Sequence, residues 1–143
     1  MNTPLEPGLT LISTQPDCIK ATFSSNTFAS ATDNRGTALL FERFNTPAVF
    51  IEAIRTLPGT VRGNHVHKNC NETLNVTSGE LNFYLLCNCP QRHVYMKNMK
   101  AGDTVVTFKG VPHALQAIEK TDIIVFFEQD PRQDRERVQI LTF

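Results

Sequence analysis

The feature that most narrows how this chain can fold is a series of short β-rich runs, cut by turn residues, that begins near residue 37. The runs cover residues 37–43, 48–57, 61–67, 72–77, 81–87, 93–97, 104–108, 113–117 and 123–127. Between them stand Pro58-Gly59, Ser78-Gly79, Asn88-Cys89-Pro90, Ala101-Gly102-Asp103, Lys109-Gly110-Val111-Pro112 and Glu119-Lys120-Thr121, all rich in residues that favour turns. In 81–87, Leu81, Phe83, Leu85 and Cys87 alternate with Asn82, Tyr84 and Leu86, the period of a strand with one buried face. No apolar stripe with helical spacing runs longer than about two turns. Strands recurring every 8–12 residues or so predict a sandwich or barrel. A closed jelly roll also removes the exposed edges so many strands would otherwise present. The expected fold is all-β, one domain over 1–143, with a core at about 37–127, an N-terminal arm at 1–32 and a short tail at 128–143. In the arm, residues 9–13 read as an edge strand, able to pair with a second subunit, and 24–32 as a loop.

Composition excludes several partners. With 14 basic and 14 acidic side chains the formal net charge is zero, so nothing marks a nucleic-acid surface. The densest basic cluster, Arg132, Arg135 and Arg137, alternates with Asp134 and Glu136 and reads as a solvated tail. No run approaches the 18 or so apolar residues of a membrane span. The N-terminus lacks the basic and apolar regions of a secretory signal. The four cysteines, Cys18, Cys70, Cys87 and Cys89, lack metal-knuckle spacing and are expected as free thiols in the cytoplasm.

The chemistry concentrates in residues 59–79, which read G-x5-H-x-H-x4-E-x6-G with His65, His67 and Glu72 at the reactive positions. Two histidines at i and i+2 of a strand point to one face. Glu72 opens the next run after four residues, and an antiparallel return would bring it beside them. Imidazole with carboxylate suits a divalent transition metal: Zn, Fe, Mn, Ni or Co. His113, after a Gly-x-Pro bend, is the candidate fourth ligand, so three of the four histidines fall in this set.

These residues resemble the cupin superfamily, whose fold is a jelly-roll barrel. Its first motif is matched at Gly59, His65, His67, Glu72 and Gly79, and its second at Gly102, Gly110 and His113. The second departs where Phe108 replaces a proline and Ala117 an asparagine, positions of turn geometry and packing. The resemblance implies a metal on His65, His67, Glu72 and His113. Within cupins, Asp33-Asn34-Arg35-Gly36 and Arg62-Gly63-Asn64-His65 are similar to segments of the nucleotide-sugar group. That group includes dTDP-sugar 3,4-ketoisomerases, 3,5-epimerases and capsular polysaccharide enzymes. Its metal-free members use the first histidine as base and lack the motif glutamate, so Glu72 makes this chain look closer to the metal-binding type.

The resemblance implies an isomerase or epimerase of a nucleotide-linked keto-deoxysugar, dTDP- or UDP-linked, working as a cytoplasmic homodimer. Such chemistry needs a base, an acid and a group that stabilises an enediolate. Bound metal would polarise the keto oxygen. Without it His65 would be the base and His67 or His113 the acid. Tyr84 is a candidate proton donor, and Arg62 and Arg55 are candidates for holding the diphosphate. The alternatives are an Fe- or Ni-dependent dioxygenase, its apolar interior supplied by Phe83, Phe108, Phe126 and Phe127, and a non-catalytic small-molecule-binding cupin.

Overall fold

The computed structural model describes residues 2–6, 9–12, 21–25, 30–39, 48–87 and 92–141. In chain order the strands are β1 (Asn2–Glu6), β2 (Leu9–Ile12), β3 (Ala21–Ser25), β4 (Ser30–Asp33), β5 (Gly36–Leu39), β6 (Phe50–Thr56) and β7 (Val61–His67). They continue as β8 (Glu72–Ser78), β9 (Glu80–Cys87), β10 (His93–Lys100), β11 (Asp103–Thr107), β12 (His113–Ala117) and β13 (Thr121–Phe127). A one-turn helix, α1 (Pro131–Asp134), precedes β14 (Arg135–Arg137). Strands β6 to β13 coincide with the expected runs to within three residues at either end.

Two antiparallel sheets form the jelly roll. One has the order β1-β2-β3-β11-β8-β13-β6, the other β10-β9-β12-β7-β14, and β4 and β5 form a separate hairpin. Their inner faces follow from alternation. In β13, Thr121, Ile123, Val125 and Phe127 are buried while the residues between them are half-buried. In β9, Leu81, Phe83 and Leu85 join Leu74, Val76, Met99, Val105 and Ile123 in one core. Phe83 is fully buried and meets the Phe23 ring edge-on at 6.2 Å. Burying a side chain of this size stabilises the fold by roughly 1.5–3 kcal/mol.

Three expectations need correction. Residues 24–25 are strand, not loop, because Ser24 and Ser25 pair with Thr104 and Asp103, a backbone ladder indifferent to side-chain polarity; residues 30–32 lie in β4. The expected edge strand, as β2, lies between β1 and β3 of its own chain. The C-terminal tail is no free tail, since β14 completes the sheet that carries His65 and His67. Residues 40–43 of the first expected run, with Cys18 and Cys89, lie outside the described residues, whereas Cys70 and Cys87 are buried. No helix of the described residues is long and apolar enough to cross a membrane.

Candidate active site and metal centre

The cluster is assembled across the sandwich. Strand β7 supplies His65 and His67, and β12 supplies His113, which pairs directly with His65. Glu72 does not return beside β7 as expected. The connection over residues 68–71 turns the corner of the barrel, and β8 enters the opposite sheet between β11 and β13. Glu72 therefore faces the histidines through the interior. The donor atoms of His65, His67, Glu72 and His113 all lie within 4.8 Å of one another.

A bulge shapes β7. His113 pairs with His65 and Ala114 with Gly63, leaving Asn64 as an extra residue. Gly63 (φ 87°) and Asn64 (φ 55°) both adopt left-handed conformations. A Cβ on Gly63 would stand 2.9 Å from the Ala114 Cα and the His113 carbonyl oxygen, so glycine is required there. Along an unbroken strand Arg62 and His65 would point to opposite faces. The bulge resets the alternation, placing Arg62 opposite Leu115 of the core and on the same inner face as the histidines.

The imidazole orientations follow from their outer partners. His113 Nδ1 lies 3.0 Å from the Val111 carbonyl, which can only accept, so Nδ1 carries the proton and Nε2 a lone pair. His67 Nδ1 donates in the same way to Asp134 Oδ1 at 2.9 Å, and Asp134 Oδ2 also accepts from the Asn69 amide at 3.0 Å. The two Nε2 atoms stand 3.3 Å (His67) and 3.2 Å (His113) from Glu72 Oε2. Both are buried, and neither makes a hydrogen bond of acceptable angle. Two lone pairs and a buried carboxylate thus converge, an arrangement that a cation resolves. The donor set fits a divalent transition metal, and each ligand ring is held through its second nitrogen as metal-binding histidines require.

Electrostatics agree. Burial alone would raise the Glu72 carboxyl, but His113 and then His67 outweigh it and hold the carboxyl well below its ordinary range. Burial also acts to lower His67, yet the nearby Glu72 and Asp134 carboxylates raise it on balance. His65 has no carboxylate so close. Burial, followed by the charge of His113, lowers it to about 3, so it is neutral at physiological pH. A second cluster, His67, Cys70 and Asp134, is a poor metal site. Burial and Asp134 push the Cys70 thiol up to about 12, and His67 Nδ1 is already committed to Asp134.

Above the cluster a cavity of about 490 Å³ opens between the sheet edges β6 and β14. Its lining includes Glu52 and Ile54 of β6, Arg62 and His65 of β7, and Arg135 and Arg137 of β14. A narrower recess of about 50 Å³ leads down to Glu72 and His113. Arg62 is thus at the cavity, steadied by Thr56 Oγ1 at 3.0 Å. Two expected site residues are not. Arg55 alternates with Ile54 and is held on the outer face by Asp122, its Nε 2.8 Å from Oδ1. Tyr84 alternates with Phe83 and Leu85, which point into the core, and so faces the other side of its sheet. Its strand, β9, lies between β10 and β12 and does not adjoin the Glu72 strand.

Sequence reasoning missed Glu52, Asp134, Arg135 and Arg137. Glu52 shares its face of β6 with Ile54 and Thr56, a weak signal once the strand is placed. Asp134 reaches His67 from 67 residues away, and no local pattern announces that contact.

The family described as Cupin matches residues 21–142. Among curated proteins none matches the chain in sequence. Similar solved structures include a mutant of the 3,4-ketoisomerase QdtA from Thermoanaerobacterium thermosaccharolyticum in complex with TDP-4-keto-6-deoxyglucose. It is 13% identical with a TM-score of 0.66, over 82% of this chain and 86% of that one. ChmJ, a 3'-monoepimerase from Streptomyces bikiniensis in complex with dTDP-quinovose, is 14% identical with a TM-score of 0.70, over 84% and 70%. The capsular polysaccharide assembling protein CapF from Staphylococcus aureus is 22% identical with a TM-score of 0.56, over 78% of this chain and 32% of that one. At such identities these likenesses speak to the fold, and with a family match over residues 21–142 they lead to one statement: this chain belongs to the cupin family.

Proposed function

We propose that the protein is an isomerase or epimerase acting on a nucleotide-linked 4-keto-6-deoxy sugar, in deoxysugar or surface-polysaccharide biosynthesis. The observation that carries this reading is a neutral imidazole, His65, facing a cavity whose recess ends on Glu72 and His113. Moving a proton next to a ketone requires three things of a protein: an acceptor for the proton, stabilisation of the oxyanion, and a donor to return it. His65 is the proton acceptor. The C–H bond breaks, its electron pair becomes the enediolate double bond, and negative charge passes to the carbonyl oxygen. A protonated group returns the proton at the same carbon from the other face, giving epimerisation, or at the former carbonyl carbon while the adjacent hydroxyl proton passes to the former carbonyl oxygen, giving isomerisation. Two imidazoles stand beside His65 for that return, His67 and His113, with ring centres 4.7 and 4.8 Å away. A divalent cation bound to His65, His67, Glu72 and His113 would supply Lewis-acid stabilisation of the oxyanion. With His65 engaged as a ligand, the Glu52 carboxylate is the remaining proton acceptor lining the cavity.

The reading is supported by the two neighbours crystallised with dTDP- or TDP-linked sugars. It carries with it two expectations from the sequence: a cytoplasmic location and a homodimer, the latter read by sedimentation. The test is proton exchange. The purified protein is incubated in deuterium oxide with TDP-4-keto-6-deoxyglucose, with and without chelator, and followed by proton NMR. Loss of the signal next to the keto group, abolished in His65→Asn, is the expected result. No exchange under any metal loading overturns the reading. Oxygen uptake under iron loading would instead indicate the dioxygenase that the three-histidine, one-glutamate set also suits.

A further inference from the structure

We propose that Arg135 and Arg137 of the C-terminal strand, together with Arg62, form the subsite that binds the diphosphate of the substrate. The proposal rests on the nucleotide-sugar reading above and goes beyond it in assigning the anion to residues 135 and 137.

The register of β14 on β7 carries the argument. Arg135 pairs with His67 and Arg137 with His65. Residues directly opposite in an antiparallel ladder share a face, so both guanidinium groups lie on the site face of the sheet. Glu136, between them, points the other way, where it pairs with Lys68. Arg135 and Arg137 both line the cavity beside His65. The bulge at Asn64 brings Arg62 to the same cavity.

Pairing separates Arg135 and Arg137 from the other described arginines. Among the described residues, Arg35, Arg55 and Arg132 each hold an aspartate, and Arg92 donates to the Gln139 carbonyl. Arg62 is committed to Thr56 Oγ1 and the Arg55 carbonyl, whereas Arg135 and Arg137 have no carboxylate partner among the described residues, although Glu52 lines the same cavity. Guanidinium groups left unpaired at a cavity rim suit an anion that accepts two parallel hydrogen bonds from each, and phosphate does so. Positions two apart on a strand are roughly 6.5–7 Å apart, near enough for two long arginine side chains to converge on one diphosphate.

The subsite is also built to stay in place. The Asn64 side chain accepts from the Ile140 and Leu141 amides at 3.1 and 2.9 Å and donates to the Leu141 carbonyl at 3.1 Å. The Asn64 carbonyl accepts from the Val138 amide at 2.8 Å. At its other end the segment is held by Asp134 on His67. One buried asparagine beside His65 thus clamps the strand that carries the arginines, coupling anion recognition to the catalytic strand.

Calorimetric titration of the full-length, metal-loaded protein with TDP, inorganic pyrophosphate and thymidine tests this. TDP and pyrophosphate are expected to bind, weakening about tenfold in Arg135→Gln or Arg137→Gln and about a hundredfold in the double variant. Arg132→Gln removes the same charge from the same segment outside the cavity and is expected to leave binding unchanged. A double variant that keeps its melting temperature and metal content yet binds TDP within threefold of wild type overturns the proposal, as does a wild type that binds neither TDP nor pyrophosphate. The two readings fail separately. Arginine-dependent TDP binding without proton exchange on the keto sugar upholds the subsite and refutes the isomerase. Exchange with unchanged kcat/KM in the double variant refutes the subsite alone.

Discussion

Replacing Asp134 with asparagine asks whether the histidine set is a metal site or merely a buried polar cluster. Asp134 is nearly buried, and its Oδ1 accepts the His67 Nδ1 proton at 2.9 Å. That bond keeps the Nε2 lone pair aimed at the cluster. Asparagine has the same shape but no charge, and its amide can donate to Nδ1. The ring can then shift its proton to Nε2, where it blocks coordination. A hydrogen bond to a charged group contributes about 1.5–3 kcal/mol, and loss of an outer partner of a metal-binding histidine costs about 10–100-fold in affinity. As tenfold corresponds to about 1.4 kcal/mol, the two estimates agree. Zinc affinity, measured by competition with a chromophoric chelator at pH 8, should therefore fall about 10–100-fold in Asp134→Asn. The pH dependence separates this role from simple loss of packing. Asp134 helps raise the His67 pKa, so in wild type protons compete with the metal up to higher pH. The variant loses that contribution, and its deficit should narrow as pH falls from 8 to 6. An affinity within threefold of wild type at pH 8, or a deficit that stays constant with pH, refutes the reasoning.

Three further outcomes follow from individual contacts. Gly63→Ala puts a Cβ 2.9 Å from two backbone atoms at φ 87°, and should cost roughly 2–4 kcal/mol, lowering the thermal midpoint by on the order of 10 °C; a midpoint unchanged in differential scanning would mean the bulge relaxes freely. His65 has its pKa lowered from 6.5 to about 3, so the unfolded chain binds a proton that the native state excludes, and stability rises with pH across that window. Denaturant titrations of chelator-treated protein should show a shallower rise in His65→Gln, and parallel profiles would show that His65 is not buried as a neutral ring. Tyr84→Phe should leave deuterium exchange within about twofold of wild type, because Tyr84 faces away from the cavity; a tenfold loss would bring its hydroxyl back to the reaction.

What could be read in advance was what depends on residues close in sequence. Strands announce themselves through alternation within five to eight residues, so β9 and β13 could be placed from their own side chains. The His65 and His67 pair is likewise a property of one strand. Which sheet a strand joins is a different matter. A four-residue connection allows both a hairpin and a barrel corner, and the closure that sends β8 into the opposite sheet is set by the whole chain. Tyr84 and Arg55 lie off the site for that reason: which face of a strand meets the cavity depends on the sheet it joins, and the strand's own residues do not carry that.

Arg135-Glu136-Arg137 shows the same limit at its sharpest. Alternating charge in a short polar segment reads as a solvated stretch, and an equally regular alternation is what a strand with one functional face requires. Both readings predict exposed residues, and both arginines are exposed. Nothing within the segment separates them, because the deciding interactions lie far off in sequence. Asp134 meets His67 across 67 residues, and Leu141 meets Asn64 across 77. Asn64 did stand in a recognised string, R-G-N-H, but as the unspecified position between a glycine and a histidine. Its left-handed backbone and its buried side chain make it the residue that bulges β7 and docks the C-terminal segment. One residue thereby turns Arg62 inward and anchors the strand bearing Arg135 and Arg137. The cationic rim is therefore a consequence of the bulge, and a change at Asn64 should disturb all three arginines together while leaving the residues of the metal set in the chain.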